Sequence, residues 1–169
     1  MAMPKPVNVT KSRAVRFADL ARDYADNTGR IDFNNMNCWQ AAFEVGRRSG
    51  AISSRGVHQL LSQAQPQNPA ALIAGGDKIA TAAQFRRVPP GNIIIFSGPG
   101  YHGSGRRLVH VMVSLGEGSA AGSNNTAIRE SPQWSKVDIA SKWSGGGVEG
   151  CEVAVRDLTD ISRPHCFVQ

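Results

Sequence analysis

A cysteine at the start of an amphipathic helix and a histidine inside an apolar strand are the residues of this chain best suited to chemistry. The first lies in Asn37-Cys38-Trp39-Gln40-Ala41-Ala42-Phe43 and the second in Leu108-Val109-His110-Val111-Met112-Val113. A thiol in the first turn of a helix meets unpaired N–H groups and the positive end of the backbone dipole, which stabilise a thiolate. A histidine from another element can take its proton, which makes a nucleophile–base pair able to attack an amide carbonyl. Two variants are open: His110 abstracts the proton during attack, or a thiolate–imidazolium pair forms beforehand.

In an extended strand Leu108, His110, Met112 and Ser114 share one face, while Val109, Val111, Val113 and Leu115 share the other. The valine face reads as core and the mixed face as the lining of a cleft. His102, in Gly100-Tyr101-His102-Gly103, is the rival base because a glycine-rich loop can line the same cleft. His58 sits in a helix beside Leu60 and Leu61, and His165 follows a proline near the end. A third group normally orients the imidazole through its second nitrogen. A hairpin turning at Gly116-Glu117-Gly118 brings Ser123, Asn124 or Asn125 beside His110, and Asn124 is the expected partner. Asp157 is the competing carboxylate, with Asp138 behind it. The Cys38 backbone N–H, helped by Asn35 or Asn37, would hold an oxyanion, although those asparagines also suit plain helix capping. Trp39 and His102 would face the substrate.

The elements that must position these groups follow from hydrophobic spacing. Ala14, Phe17, Ala18, Ala21 and Tyr24 recur at helical spacing over residues 13–26. A second helix runs from Cys38 to about Arg48, and a shorter one covers 57–64. Residues 70–85 are alanine-rich and weakly helical. Strands are expected over 92–96, 108–115, 119–123 and 151–155, with 108–123 a hairpin. Residues 124–150 read as polar and broken. Helices first and an antiparallel sheet after them predict an α+β fold with the Cys38 helix packed on the sheet. Residues 1–12 read as an extended arm and 13–169 as a single domain.

The chain has 169 residues, 41% hydrophobic and 19% charged, enough for a core without metal or disulfide staples. No apolar run approaches the ~20 residues that a membrane span needs. Met1-Ala2-Met3-Pro4-Lys5-Pro6 lacks the apolar core of a Sec signal peptide. The net charge of +6 favours an anionic partner surface, but the Arg pairs at 47–48, 86–87 and 106–107 lack the aromatic interleaving of a nucleic-acid platform. No metal-ligand spacing is present and no cofactor is expected. Cys151 and Cys166 are either a disulfide pinning the tail or two reduced, buried thiols.

The block Gly91-Asn92-Ile93-Ile94-Ile95-Phe96, the glycine-rich loop after it, and His110-Val111-Met112-Val113-Ser114-Leu115-Gly116-Glu117-Gly118 resemble the second half of NlpC/P60-type domains. With Cys38 opening a helix upstream, the layout is similar to that of type VI secretion amidase effectors. Asn37 and Trp39 flank the cysteine where many members carry Asp and Ser. The resemblance implies a papain-like fold and a secreted effector that leaves its cell without a Sec signal peptide. It would cut peptidoglycan in a target periplasm, and an immunity protein would be its natural partner. The same core also occurs in effectors that deamidate Gln or Asn of host proteins, Rho-family GTPases among them, in the cytosol. A basic binding or immunity module is the alternative without chemistry.

Overall fold

The computed structural model describes residues 12–27, 33, 35–100 and 105–161. The expected arm, apart from Ser12, lies outside them, as do His102, His165 and Cys166. Helix α1 (Arg13–Asp26) starts where the Ser12 hydroxyl accepts from Val15 N and buries Phe17, Ala18 and Ala21. Helices α2 (Cys38–Arg48) and α3 (Ser54–Gln63) pack beside it, followed by the short α4 (Ala70–Ala74), strand β1 (Asp77–Ile79) and α5 (Ala82–Arg86). Then come β2 (Ile93–Pro99), β3 (Arg106–Gly116), β4 (Ser119–Gly122), β5 (Ser135–Asp138), a small hairpin of β6 (Trp143–Ser144) and β7 (Gly147–Val148), and β8 (Glu152–Arg156). Six strands form one antiparallel sheet in the order β1-β8-β2-β3-β4-β5. The expected α+β organisation is therefore present, with β1 inside the stretch 70–85 expected to be weakly helical and β5 within the polar residues 124–150.

Both faces of the sheet are core. One face packs Ile93, Ile95, Val111 and Val113 against Phe17, Phe43, Val45 and Leu60 of the helices. The other packs Ile94, Phe96 and Met112 against Phe85, Ile128, Val137 and Ile139. This second core corrects the expectation that the mixed face of the histidine strand lines a cleft. The cover comes from α5 and from Ile128, Val137, Ile139, Ala140 and Val148 of residues 124–150.

The strict two-residue alternation also fails at one place. His110 pairs with Phe96, but Leu108 pairs with Ser97, so Val109 is an extra residue in a β-bulge. Leu108 consequently joins the helix-side core, and Val109 packs against the second core with Phe96. From His110 to Ser114 the alternation is regular, which puts His110 on the same face as Phe96 and Met112.

Two contacts set α1 on the sheet. The Trp134 indole N–H donates to Ala21 O at 2.9 Å, tying the helix to the region before β5. Gly91 has φ +90°, its N–H donates to Ser114 O at 2.8 Å, and a Cβ there would run into the Ala14 backbone. A left-handed φ and a backbone clash act together, so Gly91→Ala should destabilise the protein by at least ~2 kcal/mol. Urea unfolding monitored by circular dichroism would measure this, and an unchanged midpoint would contradict the packing described.

Candidate functional site

Cys38 is the first residue of α2, and Asn37 caps that helix. Asn37 Oδ1 accepts from Gln40 N at 2.8 Å and Gln40 Oε1 accepts from Asn37 N at 2.9 Å, a reciprocal capping box. The acceptor of Asn37 is thereby committed to the helix end. Asn35 is exposed ahead of it, and Trp39 is partly buried against the helix-side core. Ala41, Ala42, Phe43 and Val45 hold α2 on the sheet, which carries the thiol down to β3.

The thiol meets β3 at a defined gap in the ladder. Ser114 turns its N–H and C=O toward β2, bonding Asn92 O and Gly91 N, so Val113 and Val111 turn theirs toward β4. Pairing with β4 ends at Val113–Ala121. Beyond that point the Val111 N–H lies near the Cys38 thiol and favours its ionised form, as do the N–H groups of Trp39 and Cys38 at the start of α2. Val111 N belongs to the peptide that joins it to His110, so the sulfur is brought to the backbone of the histidine.

The His110 ring lies 5.5 Å from the Phe96 ring, centroid to centroid, and its Nε2 is 2.9 Å from Asn125 Oδ1. Nδ1 is buried and has no hydrogen-bond partner, Cys38 Sγ included. Asn125 opens a 3₁₀ turn (Asn125–Ile128) after β4 and is buried. Its Nδ2 donates to Gly122 O at 2.8 Å, Ser135 Oγ at 3.0 Å and Gln133 O at 3.3 Å. Turning the amide over would set Oδ1 against two carbonyl oxygens, so the network fixes its orientation. Oδ1 can only accept, and His110 Nε2 therefore carries the proton. Nδ1 is left as the basic nitrogen.

The expected third residue is thus corrected from Asn124 to its neighbour. Asn124 is exposed, and its φ of 56° and ψ of 49° put it in the left-handed region. It accepts from Thr126 Oγ1 at 3.4 Å. That left-handed step turns Asn124 outward and Asn125 inward, which the order of two asparagines in a sequence does not reveal. Neither carboxylate reaches His110. Asp157 Oδ1 accepts from Thr159 N at 2.9 Å, and Asp138 Oδ1 from Ser141 N at 3.2 Å, each closing a turn. His58 is exposed, and Cys151 is a buried free thiol. Its pairing with Cys166 falls outside the described residues, as does the rival base His102.

Burial governs the protonation of the pair. Cys38 is 4% exposed and His110 0%. Loss of hydration pushes the Cys38 thiol up to about 11, against the lowering effect of the backbone N–H groups of Val111, Trp39 and Cys38. Burial likewise pushes His110 down to about 4, with Asn125 opposing. The two groups therefore rest as neutral thiol and neutral imidazole. Loss of hydration thus works against the activation expected from the helix terminus.

Among the described residues no cluster of His, Cys, Asp or Glu could hold a metal ion, and no helix is long and apolar enough to cross a membrane. No family model, curated protein or solved structure matches this chain.

A pH dependence of stability follows. The unfolded chain protonates His110 near 6.5 and the folded one only near 4, so stability present above 6.5 is lost as the pH falls through this window, by up to about 3 kcal/mol. The unfolded chain ionises Cys38 near 9.0 and the folded one near 11, so stability also declines as the pH rises through that range. Urea midpoints should fall on both sides of neutrality. His110→Gln should flatten the acid limb and Cys38→Ala the alkaline limb; limbs unchanged by these substitutions would assign the effect elsewhere.

Proposed function

We propose that this chain is a cysteine amidohydrolase with a papain-like arrangement, in which Cys38 is the nucleophile, His110 the base and Asn125 the group that orients it. The observation that carries this reading is the protonation pattern around His110. Asn125 holds the proton on Nε2 and leaves Nδ1 as a buried, unpartnered base, at the residue whose following peptide N–H lies near the Cys38 sulfur. A histidine kept only for packing would be expected to satisfy both nitrogens.

The reaction starts from the neutral pair. As the sulfur attacks the carbonyl carbon of an amide, Nδ1 takes the thiol proton and becomes imidazolium, stabilised by the Nε2–H bond to Asn125. Backbone N–H groups at the start of α2 stabilise the oxyanion. Collapse of the tetrahedral adduct breaks the C–N bond, and the imidazolium gives its proton to the departing amine or ammonia. Water, deprotonated by the same nitrogen, then cleaves the thioester and restores the thiol.

The net charge of +6 supports an anionic polymer, the peptidoglycan of a target cell, as the substrate. Deamidation of Gln or Asn in a host protein such as a Rho-family GTPase uses the same steps and differs only in releasing ammonia. The burial of both reacting groups favours the competing reading of a basic binding or immunity module.

Muropeptides and small GTPases incubated separately with wild type, Cys38→Ala, Asn125→Ala and Asn124→Ala distinguish these readings. Wild type should fragment muropeptides, seen by chromatography, whereas a mass gain of about one dalton on a GTPase would mark the deamidase. Cys38→Ala should abolish turnover and Asn125→Ala should lower it by roughly 10²-fold or more, while Asn124→Ala stays near wild type. Turnover that persists in Cys38→Ala refutes the amidohydrolase, and no turnover of either substrate by wild type favours the binding module.

A further inference from the structure

The surroundings of Asn125 hold a feature that the Cys–His chemistry does not by itself require. Its Nδ2 faces three oxygens, two of them carbonyls that can only accept: the Gly122 carbonyl at 2.8 Å, the Ser135 hydroxyl at 3.0 Å and the Gln133 carbonyl at 3.3 Å. They come from the end of β4, the residues before β5 and the first residue of β5. The same segment is closed on itself by its backbone. Asn124 N donates to Pro132 O at 2.8 Å, Asn125 N to Ser131 O at 3.0 Å, and Glu130 N to Asn125 O at 3.0 Å. There is little room for other arrangements, because a Cβ on Gly122 would come within 3.0 Å of Met112 Cγ and 3.1 Å of Asn125 Oδ1.

We infer that Gly122 O, Gln133 O and Ser135 Oγ form an acceptor cage that admits an amide but not a carboxylate at position 125, with Ser135 a positioning residue that sets the basic nitrogen of His110 through Asn125. Two N–H groups among three acceptors lock the amide in one orientation, and that orientation assigns the His110 proton to Nε2. A carboxylate in the same place would set a charged oxygen against two carbonyls with no donor but a reversed Ser135 hydroxyl. Ser135 supplies the one cage contact made by a side chain, so the amide is loosened when that oxygen is removed and kept when it is retained. The role of Ser135 in catalysis rests on reading His110 as the base, whereas the cage itself is a property of the fold.

Nuclear magnetic resonance of ¹⁵N-labelled full-length protein at neutral pH tests this without turnover, with His110 assigned by the signal lost in His110→Gln. Wild type should show neutral His110 protonated on Nε2 alone, and slow solvent exchange of the Asn125 side-chain amide. Ser135→Ala should speed that exchange by roughly fivefold, the factor that one net hydrogen bond is worth, and Ser135→Thr should restore it. In Asn125→Asp, His110 should stay neutral, because the cage keeps the new carboxyl protonated. Should that variant not fold, the wild-type and Ser135 spectra decide alone. A proton on Nδ1 in wild type, an imidazolium in Asn125→Asp, or exchange indifferent to Ser135→Ala would each overturn the cage. Retained activity in Cys38→Ala would refute the amidohydrolase and leave these spectra as they are, so the two failures are distinct.

Discussion

A neutral imidazole enclosed by apolar side chains must place its N–H somewhere, and the hydrogen bond from His110 Nε2 to Asn125 Oδ1 is the interaction around which one face of the sheet is arranged. His110 enters that face because it alternates with Val111 along β3, opposite Phe96. Once there, it demands a buried acceptor. The chain supplies one by turning sharply after β4, through the left-handed Asn124, so that Asn125 points inward and is itself satisfied by β4 and β5. The segment that looks least ordered as sequence is thereby the most constrained by hydrogen bonding.

Strand β3 carries the functional geometry because it is covered on both sides. Helix α2 docks on one face through Ala41, Ala42, Phe43 and Val45, and its first turn projects Cys38 to the place where β4 has stopped pairing. A strand N–H left outside the ladder in a protein interior calls for a polar neighbour, and the Val111 N–H has the Cys38 sulfur near it. The histidine and the cysteine are thus brought to one peptide by two independent satisfactions of backbone and side-chain polarity. The bulge at Val109 adds to this by ending the regular pleat just before His110, so that Leu108 and Val109 fill the two cores separately.

The same burial sets the electrical state of the pair. Helix termini lower thiol pKa values when the thiol keeps some water or meets a fixed positive charge. Cys38 is almost fully buried, and the backbone N–H groups around it do not offset the lost hydration. A neutral thiol and a neutral imidazole are compatible with attack in which proton transfer and bond formation occur together, and the neutral state keeps the resting thiol unreactive.

Much of the architecture was legible in local pattern. Helix α1 was placed from Phe17, Ala18 and Ala21 at helical spacing, and α2 from the Asn37 cap and the Gly50 stop. Strand β3 was placed from its run of valines, and its hairpin with β4 from two glycines around Glu117. These signals are short-range, since caps, turns and periodicity act within a few residues. Cys38 and His110 were singled out on the same basis. Tertiary structure decided the rest. The choice of Asn125 over Asn124 depends on one left-handed residue and on three acceptors up to ten positions away. The burial of the histidine face depends on Ile128, Val137 and Ile139, whose polar neighbours hide them from any periodicity. The protonation of Cys38 and His110 depends on desolvation, which belongs to the packed interior and to no stretch of sequence. Sequence determined which groups exist and which elements carry them; the fold decided which ones meet and in what charge state.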